Sequence, residues 1–235
     1  MGDTPTGGRE SRRRCFGVAQ PSDAPPGYPP PRIALDGRPA EALAVLLPLL
    51  GCGEEAAGMA FDGLAECHRE DDRAAKALRA VATEERLHEI LIGHLQDGLP
   101  ATGQNARALD AARRFHLRLA RGGATLHLAR IAALDSAVCT IFGRLLRPGG
   151  PIAADPGVAA ILRRIHRDEA RHVRIARALV LDTAPAAAMR DAAAAARADL
   201  ADTLIYADGA FEALGVDPVS LDRDIRRLPD GLLTS

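Results

Sequence analysis

Apolar residues recur every three or four positions from about residue 39 almost to the C-terminus. This spacing places side chains along one face of an α-helix, whereas a half-buried β-strand needs apolar and polar residues to alternate. The pattern predicts helices over about residues 39–69, 71–97, 105–147, 156–182 and 186–214, with a short further helix over 218–227. Gly122 and Gly123 are the expected place of any break in the third helix. No useful stretch alternates with period two, so we expect an all-α fold.

Composition divides the chain into three parts. Residues 1–37 are rich in proline, glycine and arginine without a repeating pattern, which is typical of a disordered arm. Residues 38–216 contain the strongly periodic segments and are expected to form a helical bundle. Residues 217–235 are expected to add a short helical tail.

Four of the predicted helices interrupt their apolar stripe with polar residues near the middle. These residues, in chain order, are Glu54, Glu85, His88, Asp135, Glu169 and His172. On the first helix Glu55 is the competing acid; we favour Glu54, because Glu55 shares a face with Asp62 and Glu66 that is expected to be solvated. Each uncompensated charge in a protein interior costs several kcal/mol. The pattern therefore predicts cations among the four acids, and two divalent metal ions would leave the site nearly neutral.

The Glu-x-x-His spacing occurs twice, in Glu85 with His88 and in Glu169 with His172. Residues three positions apart share one face of a helix, so both members of a pair can reach the same metal site. One acid precedes each pair on the previous helix: Glu54 lies 31 residues before Glu85, and Asp135 lies 34 residues before Glu169. Such similar intervals suit two helical hairpins, which bring each acid to the level of its pair.

The segment "DEARH" at 168–172 resembles the D-E-x-R-H motif of the ferritin-like non-haem di-iron carboxylate superfamily, which includes bacterial multicomponent monooxygenases and fatty-acyl desaturases. The resemblance covers roughly residues 39–182 and depends on the paired motifs. It implies a ferritin-like four-helix bundle with an additional C-terminal helix. The other motif, "EERLH" at 84–88, has Leu87 where the family often has arginine, and Asp135 is shorter than the usual glutamate.

The resemblance also implies roles for residues beside the ligands. In the family, the acid before each motif glutamate hydrogen-bonds the histidine of the opposite helix and fixes its orientation. By this analogy Asp168 would orient His88, Glu84 would orient His172, and Arg171 would pair with one of the two acids.

Carboxylate and imidazole ligands suit iron or manganese better than zinc. The expected cofactors are therefore two iron ions, or iron with manganese, and the resemblance implies dioxygen as co-substrate. The leading hypothesis is a di-iron oxygenase or oxidase, a monomer or homodimer, that oxidises a small or carrier-bound metabolite with electrons from an external donor. Ala57, Gly58, Phe61, Cys139 and Phe142 are expected to line its substrate pocket.

Two other functions stay open at this point. An iron-storage or ferroxidase protein would use the same ligands inside a large assembled shell. A metal-free ferritin-like interaction module would need the six polar groups to be diverged or solvated, which their positions in apolar stripes disfavour. His166 is a candidate for a third imidazole ligand, as in some di-iron N-oxygenases of the family, although such a residue more often faces outward.

Composition narrows the expected partners and location. The net charge of −1 gives no electrostatic case for nucleic acid or a charged membrane surface. The four cysteines show no CxxC spacing, and we interpret them as reduced thiols of a cytoplasmic protein.

The segment "SRRRCFG" at 11–17 resembles part of a twin-arginine export signal, but a proline-rich stretch follows in place of the apolar region. We therefore expect no signal peptide. No uncharged apolar run approaches the length of a membrane span, so none is expected.

Overall fold

The computed structural model describes residues 15–17, 28–103, 105–180 and 186–228, and all regular secondary structure in those residues is helical. In chain order the helices are α1 (Gly37–Cys67), α2 (Asp72–Asp97), α3 (Ala106–Leu119), α4 (Ala124–Leu145), α5 (Pro151–Ala154), α6 (Pro156–Val180), α7 (Ala186–Leu204), the 3₁₀ helix η1 (Ile205–Ala207), α8 (Asp208–Ala213) and α9 (Pro218–Arg226). The all-α prediction is confirmed for the described part of the chain.

Two of the predicted helices are divided in the structure. The helix expected over 105–147 becomes α3 and α4, and the break contains Gly122 and Gly123, whose φ angles of 89° and 96° favour glycine. The helix expected over 186–214 becomes α7, η1 and α8, a division that the apolar pattern did not predict. The short α5 was not predicted either. Residues 181–185 and 229–235 lie outside the described residues.

α1 and α2 form an antiparallel hairpin joined by a tight turn. Asp71 ends the turn and caps α2, because its carboxylate accepts hydrogen bonds from the backbone N–H groups of Arg73 and Ala74, each at 3.0 Å. On the outer edge of the hairpin, Arg86 donates to Asp62 at 2.7 Å. This pairing brings the middle of α1 beside the middle of α2.

α4 and α6 form a second antiparallel pair, in which the ring of Phe142 lies 6.3 Å from that of His166. α2 also contacts α6, and α1 contacts α4, so these four long helices surround one interior. α3, α7, α8 and α9 pack around them. The arrangement of α1, α2, α4 and α6 is called the bundle below.

Two separate apolar clusters fill the bundle, and a polar level lies between them. The first cluster includes Leu43, Leu46, Leu47, Ile92, Leu95, Ile141, Phe142, Leu162 and Ile165. The second includes Phe61, Leu64, Leu78, Val81, Leu128, Ala132, Ala176 and Val180. On every helix of the bundle, the polar residues singled out in the sequence lie between the two sets. The fold therefore places them in the middle of the buried interior of the bundle.

The segment before α1 is fastened to the start of α6 by a buried carboxylate. Asp155 Oδ2 accepts hydrogen bonds from the backbone N–H groups of Ala34 and Leu35, both at 2.7 Å. Asp155 Oδ1 accepts from Gly157 at 2.8 Å and from Val158 at 3.0 Å, which caps α6. One side chain thus joins two parts of the chain that are far apart in sequence.

The last residues of the predicted arm contact the bundle in the structure. Residues 28–36 pack on α6, and a Cβ atom at Gly157 would lie 2.1 Å from the carbonyl oxygen of Arg32. Glycine at position 157 therefore permits this close approach. Residues 1–14 and 18–27 lie outside the described residues, so the prediction of disorder is not tested there.

α1 and α4 are long and apolar enough to cross a membrane, judged by length and composition alone. Buried residues make up 56% of the apolar window in α1 and 61% of that in α4. The core helix of a protein without a membrane passes the same test. The expectation that the chain has no membrane span stays a prediction.

Candidate metal centre

Four of the six residues predicted as ligands converge in the interior of the bundle. Glu54 comes from α1, Glu85 and His88 from α2, and Glu169 from α6. Each offers a nitrogen or oxygen atom, and these four atoms all lie within 4.8 Å of one another. All four side chains are buried. They form a group that could hold a metal ion.

The geometry around His88 shows why a cation fits. Its Nδ1 lies 3.2 Å from Glu54 Oε2, 3.3 Å from Glu85 Oε2 and 3.4 Å from Glu169 Oε1. A ring nitrogen carries at most one proton, so it cannot donate a good hydrogen bond to all three oxygens. Two ligand atoms about 2.1 Å from one metal ion, at roughly a right angle, are about 3 Å apart. The observed separations are close to that value.

His172 faces two of the same carboxylates from the opposite helix. Its Nδ1 lies 2.8 Å from Glu85 Oε1 and 3.9 Å from Glu169 Oε1. The rings of His88 and His172 are 5.8 Å apart and inclined by 29°. Glu85 therefore lies between the two histidines and presents a different oxygen to each.

Asp135, from α4, is the remaining predicted ligand and is also buried. Its pKa is raised well above the ordinary value, first by burial and then by the negative charges of Glu169, Glu85 and Glu54. Asp135 thus lies within electrostatic range of the other acids. Below, the acid–histidine cluster means Glu54, Glu85, His88, Asp135, Glu169 and His172.

Three buried atoms of this cluster make no hydrogen bond with any residue that the structure describes. They are Glu85 Oε1, Asp135 Oδ2 and His172 Nδ1. The first and third are 2.8 Å apart, yet they are not oriented to hydrogen-bond each other. An unsatisfied buried polar group costs about 1–3 kcal/mol, and a bound ion is one ordinary explanation for it. These atoms fit a metal that accepts oxygen and nitrogen ligands.

Burial and neighbouring charges also shift the pKa values of other residues in the cluster. Burial raises the pKa of Glu54 to about 7, although contact with His88 opposes the shift. Burial also raises the pKa of Glu169. For His172 burial acts to lower the pKa, but the surrounding carboxylates, Glu85 foremost, outweigh it and raise the pKa to about 9. Without a metal, the cluster therefore holds protons near neutral pH.

Two further acids hold the outer nitrogens of the histidines. Asp168 Oδ2 lies 3.3 Å from His88 Nε2, and Glu84 Oε2 lies 2.8 Å from His172 Nε2. Each acid lies on the helix opposite its histidine, as the resemblance implies. If each Nε2 carries the ring proton and donates it to the acid, each Nδ1 keeps a free lone pair directed at the cluster. The role of these acids towards a metal stays a prediction.

Arg171 joins the two outer acids. Its Nη2 lies 2.5 Å from Glu84 Oε2 and 3.1 Å from Asp168 Oδ1, so it pairs with both and not with one as expected. Hydrogen bonding with His88 is the main cause that lowers the pKa of Asp168 to about 2. Burial acts to raise the pKa of Glu84, but hydrogen bonds from Arg171 and His172 outweigh it and lower this pKa as well. Both acids are therefore anionic near neutral pH, and the Arg171 guanidinium compensates part of their charge.

The structure corrects the description of Glu55. We expected this acid on a solvated face, but only 4% of it is exposed, and its Oε2 accepts a hydrogen bond from the backbone N–H of Phe16 at 3.0 Å. Glu54, its neighbour, points to His88 instead. The two acids serve different contacts, and the group that could hold a metal contains Glu54.

The expectation of reduced cysteines is wrong for one pair. Cys15 forms a disulfide with Cys52, which lies on α1 just before Glu54. Cys67 and Cys139 are free. Disulfides are typical of oxidising compartments, so the cysteines do not support a cytoplasmic location. No spacing pattern along the chain indicated this pair.

The residues expected to line a pocket are placed in different environments. Phe61 packs its edge towards His172, with ring centroids 6.1 Å apart, and belongs to the second apolar cluster. Phe142 belongs to the first. Gly58 faces α2, because a Cβ there would lie 3.7 Å from the Cβ of Glu85. A shared pocket lined by these residues stays a prediction.

Ala57, Cys139 and His166 are half-buried. Burial and the charges of Glu169 and Asp135 raise the pKa of the Cys139 thiol to about 12, so the thiol near the acids stays protonated. Burial lowers the pKa of His166, whose ring lies beside Phe142. His166 is not in the group of mutually close ligand atoms.

The chain was compared with protein-family models, with curated proteins and with solved structures. No match was found in any of the three. The resemblance to the di-iron carboxylate superfamily therefore depends on the motifs and on the geometry of the cluster alone.

Proposed function

We propose that this protein is a non-haem di-iron oxygenase or oxidase with a ferritin-like bundle. The observation that carries the proposal is the position of His88 Nδ1, which faces three buried carboxylate oxygens within 3.4 Å while Asp168 holds the other ring nitrogen. A proton satisfies one such contact, whereas a metal ion can bind all four atoms at once. The D-E-x-R-H motif at 168–172 supports iron as that metal.

The cluster has the donor set and the charge for two ions. Glu54, Glu85, His88, Asp135, Glu169 and His172 would hold them, and four carboxylates would neutralise two divalent cations. Carboxylate oxygens and imidazole nitrogens favour iron, or iron with manganese, over zinc. When bound, the iron pair supplies the electrons for reduction of dioxygen and the oxidising power directed at an organic substrate.

The surrounding residues have separate tasks in this proposal. Asp168 and Glu84 hold the Nε2 proton of each histidine and so keep Nδ1 available as a ligand. The apolar clusters on both sides of the polar level exclude water, which strengthens electrostatic interactions in the site. The chain has no CxxC iron site, so the electrons would come from an external donor or from the substrate. That substrate would be a small or carrier-bound metabolite.

The proposal is tested by adding Fe(II) stepwise to metal-free protein under air while dioxygen uptake and native mass are measured. An oxygenase or oxidase is expected to saturate near two irons per chain, as a monomer or dimer, and to consume further dioxygen only when a reductant is supplied. Glu85→Gln is expected to abolish the uptake. Glu66→Gln, an exposed acid on α1, is the matched control and should behave as the wild type.

Other results would favour the alternatives. Uptake that continues far beyond two irons per chain in a cage-sized particle would indicate iron storage. Absence of stoichiometric iron binding by a folded protein would indicate a metal-free module and would contradict the proposal.

A further inference from the structure

A cavity of about 600 Å³ lies outside the contact between α2 and α6. Leu91 contributes its wall on α2, and Ala160, Ile161 and Arg164 contribute the wall on α6. The segment before α1 closes the third side with Tyr28, Pro29, Pro31, Arg32 and Ala34. Leu91 lies one helical turn from His88, and Arg164 lies one turn from Asp168. The cavity is therefore near the acid–histidine cluster but is lined by other residues.

The lining of this cavity suits one kind of ligand. Its volume is within the usual range of small-molecule sites, and most of its walls are apolar. Its charged lining residues are Arg32 and Arg164, and no carboxylate lines it among the described residues. An apolar body would fit the walls, and a negative group would meet the guanidinium groups.

Arg164 has free hydrogen-bonding capacity at this position. Its guanidinium stacks over the ring of Tyr28 at 4.7 Å, which fixes the group at the cavity wall. Its Nε lies 3.7 Å from Asp168 Oδ2, too far for a hydrogen bond, and this buried atom makes none with any residue that the structure describes. A guanidinium has five N–H donors in a planar arrangement that matches a carboxylate.

We propose that this cavity binds an organic anion with an apolar body and a carboxylate head, and that Arg164 and Arg32 bind the head. The site is built by the docking of residues 28–36 on α6, which the carboxylate of Asp155 secures. It does not depend on the metal proposal, because no residue that lines the cavity belongs to the acid–histidine cluster. The ligand is therefore a second small molecule and not a ligand of the metals.

Isothermal titration calorimetry with octanoate tests the proposal on the full chain. Octanoate is expected to bind saturably at one site per chain with a dissociation constant below about 1 mM. Octanol has the same chain without the charge and should bind at least about tenfold more weakly, since a charge-assisted pair is lost. Octylamine, with the opposite charge, should show no binding. Acetate should bind at least about tenfold more weakly than octanoate, because it lacks the apolar chain.

Three variants locate the site. Arg164→Gln is expected to weaken octanoate binding by about tenfold or more. Ala160→Trp should abolish it, because Ala160 is exposed on the cavity wall and a large ring there fills the space without disturbing the core. Arg163→Gln changes the exposed neighbouring arginine, which does not line the cavity, and should leave binding unchanged.

Circular dichroism of each variant checks that the helices are retained. The proposal is overturned if octanoate shows no saturable binding, or if octanol or acetate binds as tightly. It is also overturned if octanoate binding survives in folded Ala160→Trp, or if Arg163→Gln reduces it as much as Arg164→Gln does.

Discussion

Glu85 lies between the two histidines of the acid–histidine cluster. Its Oε2 lies 3.3 Å from His88 Nδ1, and its Oε1 lies 2.8 Å from His172 Nδ1. A proton on His88 Nδ1 could serve one oxygen of this carboxylate, but Glu85 Oε1 and Asp135 Oδ2 would still lack a hydrogen-bond partner among the described residues. Two divalent cations would neutralise all four acids of the cluster. This arrangement supports the proposal that metals bind there.

Substitutions at positions 54 and 55 distinguish the roles of the two neighbouring acids of α1. Glu54→Gln is expected to lower iron affinity by more than about a hundredfold, because it removes a ligand and one negative charge. Glu55→Gln should leave iron affinity unchanged, since Glu55 contacts the backbone of Phe16 and not His88. Iron affinity is measured by competition with a chelator of known affinity. Equal losses in the two variants would contradict the assignment of Glu54.

A substitution at position 168 tests the outer acids. Asp168→Asn keeps the size of the side chain but removes the charge that holds the His88 Nε2 proton. Iron affinity should fall by about ten- to a hundredfold while the helical content is unchanged. Asp62→Asn is the matched control, because Asp62 pairs with an arginine on the exposed side of the same bundle. Unchanged iron binding in Asp168→Asn would contradict the orienting role.

The sequence predicts which residues share a helix face better than it predicts what covers that face. The apolar stripes singled out the residues of the cluster, because periods of three and four residues follow directly from helix geometry. The apolar stripes did not predict that Glu55 is buried, because its partner Phe16 comes from a segment without periodicity. The disulfide of Cys15 with Cys52 was missed for the same reason. Contacts that depend on an irregular segment leave no local signal.

At the scale of the elements, local sequence signals predicted most helices. They did not predict the long-range hydrogen bonds that hold the helices to other parts of the chain. α1, α2, α6 and α9 begin within a few residues of the predicted positions, and the Gly122–Gly123 break follows from backbone sterics. Asp155 precedes a proline at the start of α6, an ordinary sign of a helix cap. Its second pair of hydrogen bonds reaches residues more than 100 positions earlier and could not be predicted.

Asp155→Ala tests how much these hydrogen bonds stabilise the fold. The substitution leaves four backbone N–H groups without their acceptor and should lower the free energy of unfolding by about 3 kcal/mol. Asp217→Ala removes an exposed cap of α9 and should cost about 1 kcal/mol. Urea denaturation of both variants gives the comparison. Equal losses would show that the contacts to residues 34 and 35 contribute little.

The contribution of Asp155 to the free energy of unfolding should depend on pH in the acidic range. Burial acts to raise the pKa of Asp155, but the hydrogen bonds from Val158, Ala34, Leu35 and Gly157 outweigh it and lower the pKa. A lowered pKa in the folded state contributes stability that is complete above the unfolded value, about 3.9. This contribution is lost as the pH falls further. The difference in unfolding free energy between wild type and Asp155→Ala should therefore shrink below about pH 4.

At the scale of the whole molecule, two apolar clusters stabilise the bundle while the polar level between them opposes folding without a cation. The pattern of the sequence predicted an all-α fold with this interior. It could not predict how α7, η1, α8 and α9 pack around the bundle, because their stripes specify a buried face but no neighbour. If metals bind at this polar level, as proposed, stability should depend on metal and on pH.

Metal-free protein should become less stable as the pH rises from about 5 to about 9. Glu54, with a pKa raised to about 7, and His172, with a pKa raised to about 9, both bind protons more tightly in the folded state than in the unfolded state. That contribution is complete below the unfolded pKa and is lost as the pH passes the folded one. Melting temperatures across this range should fall for metal-free protein and stay nearly level for iron-loaded protein. Parallel curves would contradict the coupling.

Anomalous diffraction at the iron absorption edge, from crystals of aerobically purified protein, tests the central claim most directly. We predict two peaks about 3.5–4 Å apart in the polar level of the bundle. One should lie within bonding distance of His88 Nδ1 and the other within bonding distance of His172 Nδ1. A well-ordered cluster with no anomalous peak, in which Glu85, Glu169 and both histidines are hydrogen-bonded to water or to each other, would contradict the account.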